Sequence, residues 1–222
     1  MNKYTIIIPT LWKSNRIHNL LKDLINCEYV NEIILIDNSN EYYNHYSTIL
    51  NKINLIQPKS NLYIAGSWNL GVKLAHNNYI SICNDDINFN PNIFEKIKDI
   101  QGIIGMSKDN FNIDGLENPI ISKMTLDMYR PTGWATFLIF KKYDWTPIPE
   151  NLKIWYNDDW LIVANPIDKY ILSNFSIYTE MSTTIGHGKF EDIKLQDKKI
   201  FREILKDCNP IHFFKYPDLN LQ

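Results

Sequence analysis

Asn84-Asp85-Asp86 places two adjacent carboxylates directly after the apolar run Tyr79-Ile80-Ser81-Ile82-Cys83. Two such groups at the end of a buried strand repel each other, and burying them without a cation is costly. A hard divalent ion offsets that cost. Magnesium or manganese commonly takes one or two protein carboxylates together with substrate phosphates. Read alone, the same residues are equally an ordinary solvated turn. A second acidic pair, Asp158-Asp159, lies in Trp155-Tyr156-Asn157-Asp158-Asp159-Trp160. A carboxylate held ionised near a helix N-terminus can serve as a general base, and Asp there is also a common helix cap. The flanking rings of Trp155 and Trp160 offer flat aromatic surface, which suits a core as well as a binding face. His187 stands between Gly186 and Gly188, a more open setting than that of a core histidine.

The elements that must position these groups can be read from the hydrophobic pattern. Tyr4–Ile8 is a short β-branched run stopped by Pro9. Continuous apolar runs of this kind are buried on both faces, as in a parallel sheet. Ile17, Leu20, Leu21, Leu24 and Ile25 recur at helical spacing, with Ser14 as the expected N-cap. Glu32–Ile36 is a second strand, ending at Asp37; Tyr42, Tyr46, Ile49 and Leu50 mark a helix; Ile53–Ile56 is a third strand. A loop holding Asn61 and Gly66 then leads into a helix containing Leu70, Leu74 and Ala75, and its N-terminus offers free N–H groups to an anion. Tyr79–Cys83 closes a β-α-β-α-β-α-β series. That alternation predicts a doubly wound α/β sheet, whose ligands bind outside the carboxyl ends of the strands. Pro9, Thr10, Asp37 and the Asn84–Asp86 turn all fall at such ends.

The second half is less regular. A helix is expected after Pro91, and strands at Ile103–Met106, Trp134–Phe140 and Tyr170–Tyr178. A short helix is expected from Asp158, and a late one through Ile193, Ile200, Phe201, Ile204 and Leu205. No repeat, linker or low-complexity segment marks a domain boundary. One domain over residues 1–222 is expected, with halves over about 1–106 and about 107–207 and a tail over about 208–222.

Taken in order, Ile6-Ile7-Ile8-Pro9-Thr10, Ile34-Leu35-Ile36-Asp37-Asn38-Ser39, Asn61 to Gly71 and Cys83-Asn84-Asp85-Asp86 resemble GT-A-fold glycosyltransferases. The likeness is to the large inverting family that includes cellulose and chitin synthases. It extends over roughly residues 4–190. By that resemblance Pro9, Thr10, Asp37, Asn61, Gly66, Asn69, Asn84 and Asp85 would bind a nucleotide-sugar donor, a UDP-sugar above all, with Asp37 on the base. Asp86 and His187 would hold Mn2+ or Mg2+. Gly133 and Trp134, in Thr132-Gly133-Trp134-Ala135, would lie on the acceptor side with Trp155 and Trp160. Asp158, with Asp159 as rival, would be the general base. Asn84 departs from the Asp-x-Asp metal motif. The Gln/Arg-x-x-Arg-Trp motif of processive synthases has no counterpart, so the resemblance implies transfer of a single sugar to a glycan acceptor. The compact length also resembles small glycosyltransferases of large DNA viruses, in keeping with a sequence rich in the A/T-coded residues Ile and Asn.

Composition bounds the alternatives. The chain has 222 residues, 45% of them hydrophobic, and a net charge of −2. That balance excludes a nucleic-acid binder driven by bulk positive charge. No apolar run approaches the roughly 18 residues of a membrane span, and Met1–Thr10 has no signal-peptide layout. The three cysteines, Cys27, Cys83 and Cys208, are scattered and read as reduced cytoplasmic thiols. Nothing in the sequence sets the oligomeric state. Two rival functions remain. A sugar nucleotidyltransferase would want a Gly-rich basic loop where Pro9-Thr10-Leu11-Trp12-Lys13 stands. A catalytically inactive nucleotide- or glycan-binding domain is kept open by Asn84.

Overall fold

A computed structural model describes residues 2–39, 52–125, 131–180 and 190–207. Strands β1 (Tyr4–Thr10), β2 (Val30–Asp37), β3 (Ile53–Ile56) and β4 (Tyr79–Cys83) form in the predicted order. The helices described among them are α1 (Arg16–Asn26) and α2 (Tyr63–Leu74). The helix expected through Tyr42 and Leu50 lies outside the described residues. There follow β5 (Ile87–Phe89), the single turn α3 (Ile93–Lys96), β6 (Ile103–Met106), β7 (Ile120–Lys123) and β8 (Phe137–Lys141). Helix α4 (Asn157–Val163), β9 (Lys169–Ser173), β10 (Ile177–Thr179) and α5 (Glu191–Asp207) complete the order.

Eight strands form one sheet in the order β3-β2-β1-β4-β8-β6-β9-β7. β1 pairs in parallel with both β2 and β4, while β8 runs antiparallel between β4 and β6. β7 is an antiparallel edge on β9, and β10 pairs with β5 in a separate ribbon. The molecule is thus an α/β domain with a mostly parallel central sheet flanked by helices, the GT-A architecture. The alternation within β1 shows why its run is continuous. Ile6 and Ile8 pack on the α1 side with Leu20, Leu24 and Phe94, and Ile7 packs on the opposite side with Trp68, Leu161 and Phe201. Each face of the strand meets helices, so a polar residue has no place in its middle. From β1 the chain builds outward to β2 and β3, then returns to lay β4 on the other side of β1. That reversal leaves a crevice above the ends of β1, β2 and β4.

Several local expectations are corrected. Gly66 is not in a loop; α2 begins at Tyr63 and buries Gly66 within it. Ser14 is one residue early as a cap: Asn15 precedes the helix, and Ser14 Oγ accepts from the Arg16 N–H at 3.2 Å. The segment from Trp134 to Phe140 is two elements. Gly133 at φ 76° opens a 3-10 turn over Trp134–Thr136 before β8 begins. Tyr170–Tyr178 is likewise broken, at Asn174 with φ 54°, into β9 and β10. Cys27 and Cys83 are buried free thiols, and Cys208 lies outside the described residues. No described helix is long and apolar enough to cross a membrane.

Candidate active site

The crevice above β1, β2 and β4 holds a cavity of about 260 Å³. Its floor is built by strand ends. Pro9 and Thr10 end β1 and Leu11 follows it, Asn38 follows β2, and Asn84, Asp85 and Asp86 follow β4. The Asn38 N–H donates to the Thr10 carbonyl at 2.9 Å, which holds the first two ends together. Asn38 also accepts from the Leu62 N–H at 2.9 Å and donates to Ser67 Oγ at 2.9 Å, fixing the start of α2 over the floor. Asn61 accepts from the Tyr63 N–H at 2.7 Å in an Asx turn, so its backbone direction is set locally. Tyr63, Ile64 and Trp68 of α2 then form one wall.

The acidic turn is buried. Asp85 is 7% exposed and Asp86 6%. Thr10 Oγ1 donates to Asp85 Oδ2 at 2.6 Å. Burial pushes the Asp85 carboxyl up to about 6, the Thr10 hydrogen bond opposes that rise and the neighbouring Asp86 charge adds to it. Two neighbouring buried carboxyl groups form a hard-oxygen donor set, which fits Mg2+ or Mn2+. Among the described residues no cluster of three His, Cys, Asp or Glu side chains is placed to hold a metal by itself. His187 lies outside the described residues.

The opposite wall comes from the second half. The Asn84 N–H donates to the Thr136 carbonyl at 3.1 Å, which draws Gly133, Ala135 and Thr136 to the cavity edge. Ile154, Asn157, Asp158 and Phe190 close the remaining side. Asp158 is half-buried in the first turn of α4, and its Oδ1 accepts from the Asp159 N–H at 3.0 Å. The residue before α4, Tyr156, has φ 66°, and Tyr63 on the facing wall has φ 55°. Left-handed backbone at non-glycine residues is strained, and such strain gathers where a site demands a particular side-chain direction.

Of the residues singled out from sequence, Pro9, Thr10, Asn61, Asn84, Asp85, Asp86, Gly133 and Asp158 line one cavity. Others do not. Asp37 is fully buried below the floor, accepting from Ser39 Oγ at 2.6 Å, the Ser39 N–H at 3.0 Å and Gln57 Nε2 at 3.2 Å. Asn69 turns toward the loop before α4, accepting from Trp145 Nε1 and the Ile148 N–H and donating to the Ile148 carbonyl. Gly66 faces Leu62 on its own helix. Trp134 is fully buried, with Nε1 donating to the Tyr170 carbonyl at 3.0 Å, and Trp160 packs in the core. Asp159 is 3% exposed and outside the lining. Trp155 is half-buried against Phe190, ring centroids 6.5 Å apart. Leu11, Tyr63, Trp68, Thr136 and Phe190 are lining residues that sequence reasoning passed over. Tyr63 and Trp68 stood inside a highlighted segment, so their aromatic type was the available signal.

Comparison with known proteins agrees with this architecture. The fold is similar to S. aureus TarS 1-349, with TM-score 0.62 and 18% identity over 91% of this chain and 65% of that one. The same figures hold for TarS 1-349 in complex with UDP. For its complex with UDP-GlcNAc the TM-score is 0.58 and identity 16%, over 91% of this chain and 66% of that one. The chain therefore spans about 65% of the length of TarS 1-349. No curated protein matches it in sequence. The family described as Glycosyl transferase family 2 matches residues 5–163, from β1 to the end of α4, and the chain belongs to that family.

Proposed function

We propose that the protein moves one sugar from a nucleotide-sugar donor, a UDP-sugar, to a hydroxyl of a glycan or glycoconjugate acceptor, with inversion at the anomeric carbon. One observation carries the reading. A single cavity is lined by the β1 and β2 ends, by the Asn84–Asp86 turn and, across from them, by Asp158. The donor occupies the nucleotide half, about residues 1–106, and the acceptor enters along the half over about 107–207. TarS crystallises with UDP and UDP-GlcNAc, which favours a uridine nucleotide here.

Inversion needs one carboxylate facing the acceptor hydroxyl. Asp158 fits that role better than Asp159, because it is half-buried on the lining while Asp159 is packed away from it. Tyr63, Trp68 and Phe190 supply apolar and aromatic surface that excludes water and meets ring faces. Asp86 and Asp85, with His187, would hold a divalent ion, which supplies charge neutralisation for the departing diphosphate. The buried thiols Cys27 and Cys83 suit a reducing cytoplasm as the place of reaction.

The test is incubation with a panel of UDP-sugars, manganese and candidate glycan acceptors, with released UDP measured. Donor-dependent release is expected. UDP binding without release for any donor would favour an inactive nucleotide-binding domain, the reading that Asn84 supports by removing a charge from the metal motif. No UDP binding at all contradicts both.

A further inference from the structure

Helix α5 lies beyond residues 5–163, the part matched by the family. It nevertheless reaches the site. Asp197 of α5 is fully buried, and its carboxylate accepts three consecutive backbone N–H groups. Oδ1 takes the Lys153 N–H at 3.0 Å, and Oδ2 takes those of Ile154 at 2.8 Å and Trp155 at 2.9 Å. Successive amides converging on one anion form a directional clamp that fixes the path of the backbone.

The clamped segment leads straight into the reacting groups. Ile154 lines the cavity, and its carbonyl accepts from Asn157 Nδ2 at 3.0 Å. Tyr156 stacks on Phe201 of the same helix, ring centroids 5.1 Å apart and planes 15° apart, while its own φ is 66°. Helix α5 thus holds this segment at two points: the Asp197 carboxylate grips residues 153–155, and the Phe201 ring packs on Tyr156, the strained residue that precedes α4. The Lys153 carbonyl accepts from the Ile64 N–H at 2.9 Å, which ties the segment to the facing wall.

We infer that Asp197 is a positioning residue for the general base: it sets the 153–157 backbone so that Asp158 faces the acceptor hydroxyl. This rests on the reading of Asp158 given under Proposed function. Asp197→Asn keeps the shape but cannot accept all three N–H groups, since its amide nitrogen is a donor. A shift of about 1 Å in a reacting group can cost on the order of 100-fold in rate.

The experiment measures UDP release and UDP affinity for the full chain, Asp158→Asn, Asp197→Asn and the double variant. Asp197→Asn is expected to lower kcat about 10-fold or more while the Kd for UDP stays within about twofold. The double variant is expected to be no slower than Asp158→Asn, because the clamp acts through that carboxylate. Losses that multiply, a fall in UDP affinity matching the fall in kcat, or an unchanged kcat in Asp197→Asn each overturn the positioning role. A wild-type rate in Asp158→Asn refutes the base assignment itself and is read independently of Asp197. Should Asp197→Asn not fold, hydrogen exchange on the unaltered protein decides. The amides of Lys153, Ile154 and Trp155 are expected among the slowly exchanging set, and exchange at the rate of an open loop overturns the clamp.

Discussion

Thr10 Oγ1 donates to Asp85 Oδ2 at 2.6 Å, joining the end of β1 to the turn that follows β4. This one contact crosses the reversal point of the sheet and orients a carboxylate that burial would otherwise leave costly. Thr10 Oγ1 also accepts the Trp12 N–H at 2.8 Å, so the hydroxyl organises the β1 exit as well as the acid.

The pH dependence of stability follows from it. The Asp85 carboxyl is raised to about 6 by burial. An unfolded Asp ionises near 3.9. Between those values the unfolded chain has lost the proton while the folded one keeps it, so stability falls as pH rises from about 4 to about 6 and is level above. For the metal-free protein the expected fall is on the order of 3 kcal/mol. Thr10→Val removes the stabilising hydrogen bond to the ionised form. It is expected to cost about 1–3 kcal/mol near neutral pH and less at pH 4. Denaturant unfolding across pH measures both; stability that rises between pH 4 and 6 would contradict the assignment.

Gly71 lets α2 lie directly on β1. A Cβ there would stand 2.4 Å from Ile7 Cγ2, inside any real contact. Gly71→Ala is expected to destabilise by about 1–3 kcal/mol through overpacking, outweighing the helix propensity that alanine adds. A thermal melt several degrees lower checks it, and an unchanged or higher midpoint would show that Ile7 yields freely.

Asn69 was expected to contact the donor, and the structure gives its side chain to Trp145 and Ile148 instead. Asn69→Ala should therefore lower stability by about 1–3 kcal/mol while leaving UDP affinity within about twofold. Calorimetric titration with UDP on the folded variant separates the two. A large loss of affinity with little loss of stability would restore the donor contact.

The first half of the fold was legible because its strands are continuous apolar runs and its first helix, α1, has a clean apolar stripe. The order of strand ends around a parallel sheet by itself places Thr10, Asn84, Asp85 and Asp86 near one another. What failed was local. Nothing in Tyr63-Ile64-Ala65 signals that a helix begins there at a strained tyrosine, so Gly66 was put in a loop. Trp134 and Trp160 are aromatic in both a sugar site and a core, and composition cannot choose; the sheet and α4 bury them. Asp197 carries a signal of its own in the sequence. It falls on the same helical face as Ile193, Ile200, Phe201 and Ile204, and an acid on an apolar stripe points to a buried partner.

The most direct test of the account compares initial rates of UDP release for the full chain, Asp158→Asn and Asp159→Asn, with the preferred donor, manganese and acceptor. Loss of a general base costs about 100- to 10,000-fold. The account predicts that loss in Asp158→Asn, with UDP affinity retained. A near-wild-type rate in Asp158→Asn, with the loss appearing in Asp159→Asn instead, would contradict it.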